Sequence, residues 1–600
     1  MNDQRPQIII ITIFLVGIVL LIKLFSIQVL DDSFLKKAER NAIQRVVDHP
    51  YRGLIYDRNG KLLVYNNPIF DLMLVPKEFE LQDTTKFCEL FGIEKEALIE
   101  GYNAAKKYSW VKPSPLIKQI STTDFAKIQD FLIDYPGLFI TTRSVRSYPE
   151  PIGSHALGYI GEISGPRLEK DTTGYYVQGD YVGLSGMERF YENELRGVKG
   201  VKYKMVNVRG IDKGSFKDGE YDTASHEGSN ITSTIDLELQ KYGEYLMQGK
   251  TGSVVAIEPK TGEILAMISA PFYDPNELTG ADFGKNYQKL NANTTKPLFN
   301  RPVMAMYPPG SIFKIVQSLI GLQEGILTPE TTYACNRSLV ACHNHPSPVD
   351  LFGAIRNSCN PYYHQAFRKI INREVSSNTF TDTQIGLDQW RDKVAKFGLG
   401  STLGIDMGGE RGGDIPSSQY YDRIYGEGRW KYSTIYSLSI GQGELQVTPL
   451  QMANLAAIFA NKGYYYTPHL IKAMDGDATK IPTEFQQRHD VGVDAKHFDL
   501  IQDAMAAAIY GTAARAVISD IELAGKTGTA QNPHGEDHSV FIAFAPKNDP
   551  KIAIAVYVEN AGWGGRAAAS TASLMIEKYI RGDVQRTALQ DYVLAGNFIY

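Results

Sequence analysis

The sequence predicts an α+β chain: one membrane-spanning helix, a mostly β or mixed N-terminal pedestal, and a larger C-terminal unit. Three observations carry this reading. An almost unbroken apolar run occupies Ile8–Ile22. Two apolar strand pairs, near 252–268 and 538–558, enclose a helix-rich stretch, so one sheet takes its first and last strands from the two ends of a domain. The residues between the run and that domain mix strands, turns and helices without chemistry of their own. At 600 residues the chain exceeds one core. The expected divisions are 1–30 (cytoplasmic stub and signal-anchor), 31–230 (non-catalytic pedestal for dimerisation or interaction), 231–585 (catalytic domain) and 586–600 (tail).

Only Thr12 and Gly17 break the apolar run; Lys23 interrupts it, and Leu24–Leu30 extends it. That length suits a bilayer core, and Lys23 can snorkel to the interface. Asp31-Asp32-Ser33-Phe34 offers no small-residue cleavage site, so an uncleaved anchor is expected. Arg5 precedes the span while Lys36, Lys37 and Arg40 follow it, so charge does not favour an inside N-terminus. Net charge is −5, with lysine and arginine spread along the chain, which excludes a nucleic-acid binder of the basic kind.

In the pedestal, Lys36–Val47 is read as a charged helical stalk. Asn59-Gly60 before Lys61-Leu62-Leu63-Val64-Tyr65 predicts a hairpin. Gly183-x-x-Gly186-x-Glu188 predicts a helix start, with Glu188 placed to favour the dipole. The polar stretch from Gly210 to Ile231 reads as a linker and hinge.

In the C-terminal unit, Thr234-Ile235-Asp236 opens a helix, and Gly252–Pro259 with Gly262–Ile268 forms a strand–turn–strand. Tyr307-Pro308-Pro309-Gly310-Ser311 ends an irregular segment. Ile312, Ile315, Val316, Leu319 and Ile320 then recur at helix spacing, and Gly325 marks a stop. Ser311 and Lys314 therefore share a face of a helix's first turn. Ser358-x-Asn360 and Lys526-Thr527-Gly528-Thr529 follow in order, the latter before a strand pair and a final amphipathic helix.

Each motif is weak alone; together they describe an acyl-transfer centre. Ser311 supplies a nucleophile and Lys314 a base, provided burial loosens its proton. Ser358 relays a proton to the leaving amine, and Asn360 orients Lys314 and a substrate amide. Lys526 and Thr527 face a substrate carboxylate, and Gly528 admits substrate backbone to a strand edge. The N–H groups of Ser311 and Thr529 would form an oxyanion hole, worth ~3 kcal/mol per donor.

With these motifs, and with Arg52-Gly53, Asp57-Arg58-Asn59-Gly60, Arg146-x-Tyr148-Pro149, Gly183-x-x-Gly186-x-Glu188 and Val206-Asn207-x-Arg209-Gly210, the chain resembles the class B penicillin-binding proteins from the anchor to about residue 580. No glycosyltransferase domain is expected, which sets it apart from class A. Gly441-Gln442-Gly443 and Lys526–Gln531 look most like the elongation-type, penicillin-binding protein 2-like branch. The resemblance implies the penicillin-binding serine transpeptidase fold, an antiparallel sheet flanked by helices. It implies D,D-transpeptidation of peptidoglycan stem peptides through a serine acyl-enzyme that β-lactams trap, with no cofactor required. It also implies a single-pass protein of the inner membrane with its catalytic domain outside the cytoplasm. A SEDS-type membrane glycan polymerase and a periplasmic elongation scaffold protein are the implied partners, the latter opening the pedestal. Rival readings are a septal class B enzyme, a β-lactam sensor or β-lactamase on the same fold, and a catalytically silent scaffold protein.

One departure is Cys359, at the middle of Ser358-x-Asn360. It joins Cys335, Cys342, His343, His345 and Asp350 in a segment poor in apolar residues. Three readings stand: plain thiols, a Cys335–Cys342 disulfide, or structural Zn²⁺ on Cys335, Cys342, His345 and Cys359 with His343 spare. The spacing matches no standard finger; zinc near this position is implied by elongation-type relatives.

Overall fold

The computed structural model describes residues 5–26, 43–80, 83–206 and 212–599. Arg5–Phe25 is one helix, and within it Ile8–Phe25 has a mean hydropathy of 3.1 with none of it buried, long and apolar enough to cross a membrane. The chain divides into two compact units: residues up to 52, 68–143 and 196–228 in the first, and 53–67, 144–195 and 229–600 in the second.

In the first unit, Ile43–Asp48 pairs antiparallel with Gly200–Val206, which pairs with Asp212–Ser215. This corrects two expectations. Residues 43–48 form a strand, not the end of a helical stalk, because pairing with 200–205 overrides a weak helical pattern; most of the expected stalk, including Lys36, Lys37 and Arg40, lies outside the described residues. The stretch read as a linker supplies a strand at 212–215 and bridges from Thr223 and His226. The motif residues Asn207, Arg209 and Gly210 lie outside the described residues. A second core in this unit packs Leu72, Leu74, Phe87, Phe91, Leu98 and Ile120.

The second unit is built on a five-stranded antiparallel sheet. Among its elements, in chain order, are α1 (Leu237–Met247), β1 (Gly252–Ile257), β2 (Ile264–Ala270), α2 (Lys314–Gln323), α3 (Leu351–Arg356), α4 (Asn360–Ile371), α5 (Pro449–Ala460), α6 (Lys496–Ile509), β3 (Ala524–Ala530), β4 (His538–Ala545), β5 (Ile552–Val558), α7 (Ala567–Arg581) and α8 (Thr587–Ala595). The strand order is β2-β1-β5-β4-β3, so both ends of the domain feed one sheet. Strands β1, β2 and β5 are buried at every position. Alternation explains why: Val255 and Ile257 face the core around α5, while Val254 and Ala256 face the core around α1 and α7. Helix α5 is wholly buried, its entry fixed by a capping box between Thr448 and Gln451.

Two features were not anticipated. Glu188 lies in the first turn of the helix Gly186–Phe190, as expected, but its carboxylate also meets Arg146 Nε at 2.6 Å, both side chains fully buried, and Arg146 donates to Gly53 O and Asn66 Oδ1 as well. The segment expected as a tail contains α8, with Val593 and Phe598 buried.

Candidate active site

Strand β3 is the edge of the sheet, and the turn carrying Ser311 lies against it. Gly310 has φ +58, available to glycine, and a Cβ there would come 2.8 Å from Thr529 O. Its N–H donates to Gly441 O at 2.8 Å, and a Cβ on Gly441 would sit 2.2 Å from Gly310 O. Gln442, from the same loop, donates to Thr529 O at 3.1 Å. Two glycines thus let three backbone segments meet around Ser311. Residues Gly310–Phe313 form a 3₁₀ turn that runs directly into α2, which begins at Lys314.

Lys314 is buried, and its Nζ donates to Asn360 Oδ1 at 2.6 Å, Ser358 O at 2.8 Å and Ser358 Oγ at 3.1 Å. Lys526, also buried, donates from its Nζ to the same Ser358 Oγ at 2.9 Å and to Thr527 O at 3.1 Å. Burial pushes Lys314 down to about 7. Burial, and then the charge of Lys314, hold Lys526 well below the ordinary lysine value. Two lysine nitrogens therefore converge on one hydroxyl.

The hydroxyl is aimed by a helix ending. Ser358 follows α3 with φ +54, its N–H donating to Ile355 O at 3.2 Å, and Cys359 N–H donates to Ala354 O at 3.0 Å. This is the paired closure usually made with glycine in the left-handed position. A serine there costs about 1–3 kcal/mol of backbone strain and gains a hydroxyl directed at both lysines. Asn360 then begins α4, and its Nδ2 donates to Ala341 O at 2.7 Å.

An open cleft of about 540 Å³ is lined by Ser311, Ser358, Asn360, Thr527, Gly528 and Thr529. The structure thus gathers every residue expected at the site; Lys314 and Lys526 lie buried beneath it. Gln442, Thr512, Trp563 and Gly564 also line the cleft and were not singled out as site residues; the glycines around Gln442 and Trp563 were the available signal. A Cβ on Gly564 would lie 2.2 Å from Gly528 O, so that loop rests on β3 itself.

The four expected metal ligands come together: Cys335, Cys342, His345 and Cys359 place their ligand atoms within 4.8 Å of one another. A tetrahedron with 2.3 Å zinc–sulfur bonds puts its corners about 3.8 Å apart, so the set fits. His345 Nδ1 lies 2.7 Å from Pro346 O and its Nε2 3.5 Å from Cys342 Sγ, the orientation that frees Nε2 for a metal. All four cysteines are free thiols, so the disulfide reading is not realised. Hydrogen bonding from the Cys359 thiol pushes Cys342 down. Asp350 caps α3 instead, accepting from Gly353 N–H, and His343 lines the cleft.

Residues 252–577 match the penicillin binding protein transpeptidase domain, and residues 47–233 the penicillin-binding protein dimerisation domain. The peptidoglycan D,D-transpeptidase MrdA of Acinetobacter baumannii is 30% identical over 90% of this chain and 81% of its own length. Penicillin-binding protein 2 of Helicobacter pylori, in complex with MreC, aligns with a TM-score of 0.72 at 25% identity, covering 90% of this chain and all of that one. A chain from a structure describing coordination of polymerization and crosslinking by a peptidoglycan synthase complex aligns at 0.69 and 25% identity, covering 97% of this chain and all of that one. With its transpeptidase and dimerisation domains both matched, the chain belongs to the class B penicillin-binding proteins, as an elongation-type, penicillin-binding protein 2-like peptidoglycan D,D-transpeptidase.

Proposed function

We propose that Ser311 is the nucleophile of this transpeptidase and that Lys314, Ser358 and Lys526 manage its protons. The convergence of both lysines on Ser358 Oγ carries the reading. In its neutral form Lys314 has two N–H groups, matched by Asn360 Oδ1 and Ser358 O; its lone pair is then left for a hydroxyl proton. Ser311 Oγ attacks the carbonyl carbon of the scissile D,D-peptide bond and its proton passes to Lys314. The oxyanion is held by the N–H groups of Ser311 and Thr529. The C–N bond breaks, and the leaving amine takes a proton through Ser358. An acceptor amine then attacks the Ser311 ester, loses its proton along the same path, and Ser311 regains its own. Lys526 and Thr527 hold the donor carboxylate, and Gly528 lets the donor lie along β3. A β-lactam mimics the donor and stays as the ester. The test is labelling with a fluorescent penicillin: wild type labels and Ser311→Ala does not. Equal labelling of the two would overturn the assignment.

Cys335, Cys342, His345 and Cys359 would hold Zn²⁺ as a structural ion, clamping the loop that carries Ala341 against Asn360. The complex with MreC and the peptidoglycan synthase complex among the similar structures support a periplasmic scaffold protein and a glycan polymerase as partners, the latter being of SEDS type on the motif resemblance. The N-terminal helix supports single-pass anchoring in the inner membrane with the catalytic domain outside the cytoplasm, where the peptidoglycan substrate lies.

A further inference from the structure

One wall of the catalytic cleft is made by two loops, residues 511–517 and 561–566. They contribute Gly511, Thr512, Trp563, Gly564 and Gly565 to the lining. They touch each other closely: a Cβ on Gly565 would lie 2.4 Å from Thr512 O. Both loops are tied from behind by the same C-terminal segment, which lies beyond the residues matched by the transpeptidase family model. From the second loop, Arg566 Nη1 donates to Phe598 O at 2.7 Å and Ile599 O at 3.2 Å, and its backbone N–H donates to Trp563 O at 2.9 Å. On the first loop, Arg586 Nη1 donates to Val517 O at 3.1 Å. The guanidinium of Arg515 stacks on the Tyr592 ring at 4.3 Å and bonds its hydroxyl. The segment is itself anchored: Phe598 is buried, edge-on to Tyr592 at 5.6 Å, and Arg586 Nε pairs at 2.8 Å with the buried Glu577.

We infer that residues 586–599 are a brace that sets the position of this wall, and that Arg566 is a positioning residue for the acyl donor. The ligand portion concerned is the apolar acyl side chain of the donor or β-lactam. Trp563 is 70% exposed beside Thr529 and offers an aromatic face at the cleft mouth. Gly565 approaches the Thr527 side chain, whereas the adjacent Lys526, which alternates to the other face of β3, reaches Ser358 Oγ, so moving the wall alters what fits beside the strand and leaves the proton-handling groups in place. The inference rests on the acyl-enzyme reading above.

The experiment uses the full-length protein and two penams that differ only in the acyl side chain, one short and aliphatic, one bulky and aromatic. The second-order acylation rate is measured for each. The variants are Arg566→Met, Arg566→Lys and Phe598→Ala; the last loosens the segment without touching Arg566. Arg566→Met and Phe598→Ala are expected to change the bulky-to-small rate ratio by about tenfold, while Arg566→Lys, which keeps a donor, stays within about twofold. A purely structural defect would slow both penams equally. A ratio within about twofold of wild type in both Arg566→Met and Phe598→Ala overturns the brace. Failure of wild type to label with either penam would instead count against the acyl-enzyme reading and take the brace with it.

Discussion

Lys314 Nζ contacts both oxygens of Ser358, the hydroxyl at 3.1 Å and the backbone carbonyl at 2.8 Å. The carbonyl is within reach because Ser358 occupies a left-handed helix ending, which turns its main chain and side chain toward the same nitrogen. Lys526 approaches the same hydroxyl from β3 at 2.9 Å. When Lys314 carries its proton, the hydroxyl accepts from both nitrogens and keeps its own proton to donate into the cleft.

The pH dependence of acylation follows from burial. Desolvation disfavours the ammonium, so Lys314 releases its proton near 7 instead of 10.5. The neutral base is populated above that value. The acylation rate should fall about tenfold per pH unit below 7 and level off above it, measured as penicillin acylation across the pH range. The same shift makes this residue's contribution to folding more favourable as pH rises from about 7 to 10.5, because the unfolded chain still holds the proton.

Gly441→Ala should damage chemistry more than fold. Its φ is +71 and the added Cβ would meet Gly310 O at 2.2 Å, so the turn holding Ser311 must shift. An ångström-scale displacement of a nucleophile costs on the order of 10²-fold. Acylation kinetics check this, with a thermal scan to show that the protein is still folded.

Arg146→Met should destabilise without touching the cleft. It removes the guanidinium facing Glu188, both groups being fully buried. Breaking one side of such a pair costs about 3–5 kcal/mol, read as a lowered unfolding midpoint with penicillin labelling retained at low temperature.

Zinc should copurify at one equivalent, and Cys335→Ser should lose it. Because Asn360 Nδ2 holds Ala341 O at 2.7 Å in the same loop, metal loss should lower acylation roughly tenfold. Metal analysis and acylation rates on the same sample check both halves.

The three motifs were legible because each fixes its local geometry within a few residues. Gly310 selects a turn, Ser311 and Lys314 share a helical face, and Lys526–Thr529 alternates on an edge strand. Pairing across the chain was not legible. Arg146 and Glu188 stand 42 positions apart, and nothing local to either names the other. Residues 43–48 carry a helical pattern too weak to resist pairing with 200–205. The cleft wall at Trp563 depends on Gly564 resting against Gly528, a contact between segments that meet only once the sheet has formed. Thr587–Ala595 is short and opens with neither a capping side chain nor an acidic first turn, so nothing local marks it as a packed helix, although Val593 is buried.

The most direct test of the central claim is intact-protein and peptide mass spectrometry after reaction with a penicillin. The account predicts a single adduct, located on the peptide containing Ser311, and none in Ser311→Ala. An adduct on any other residue, or an equal adduct in Ser311→Ala, would contradict it.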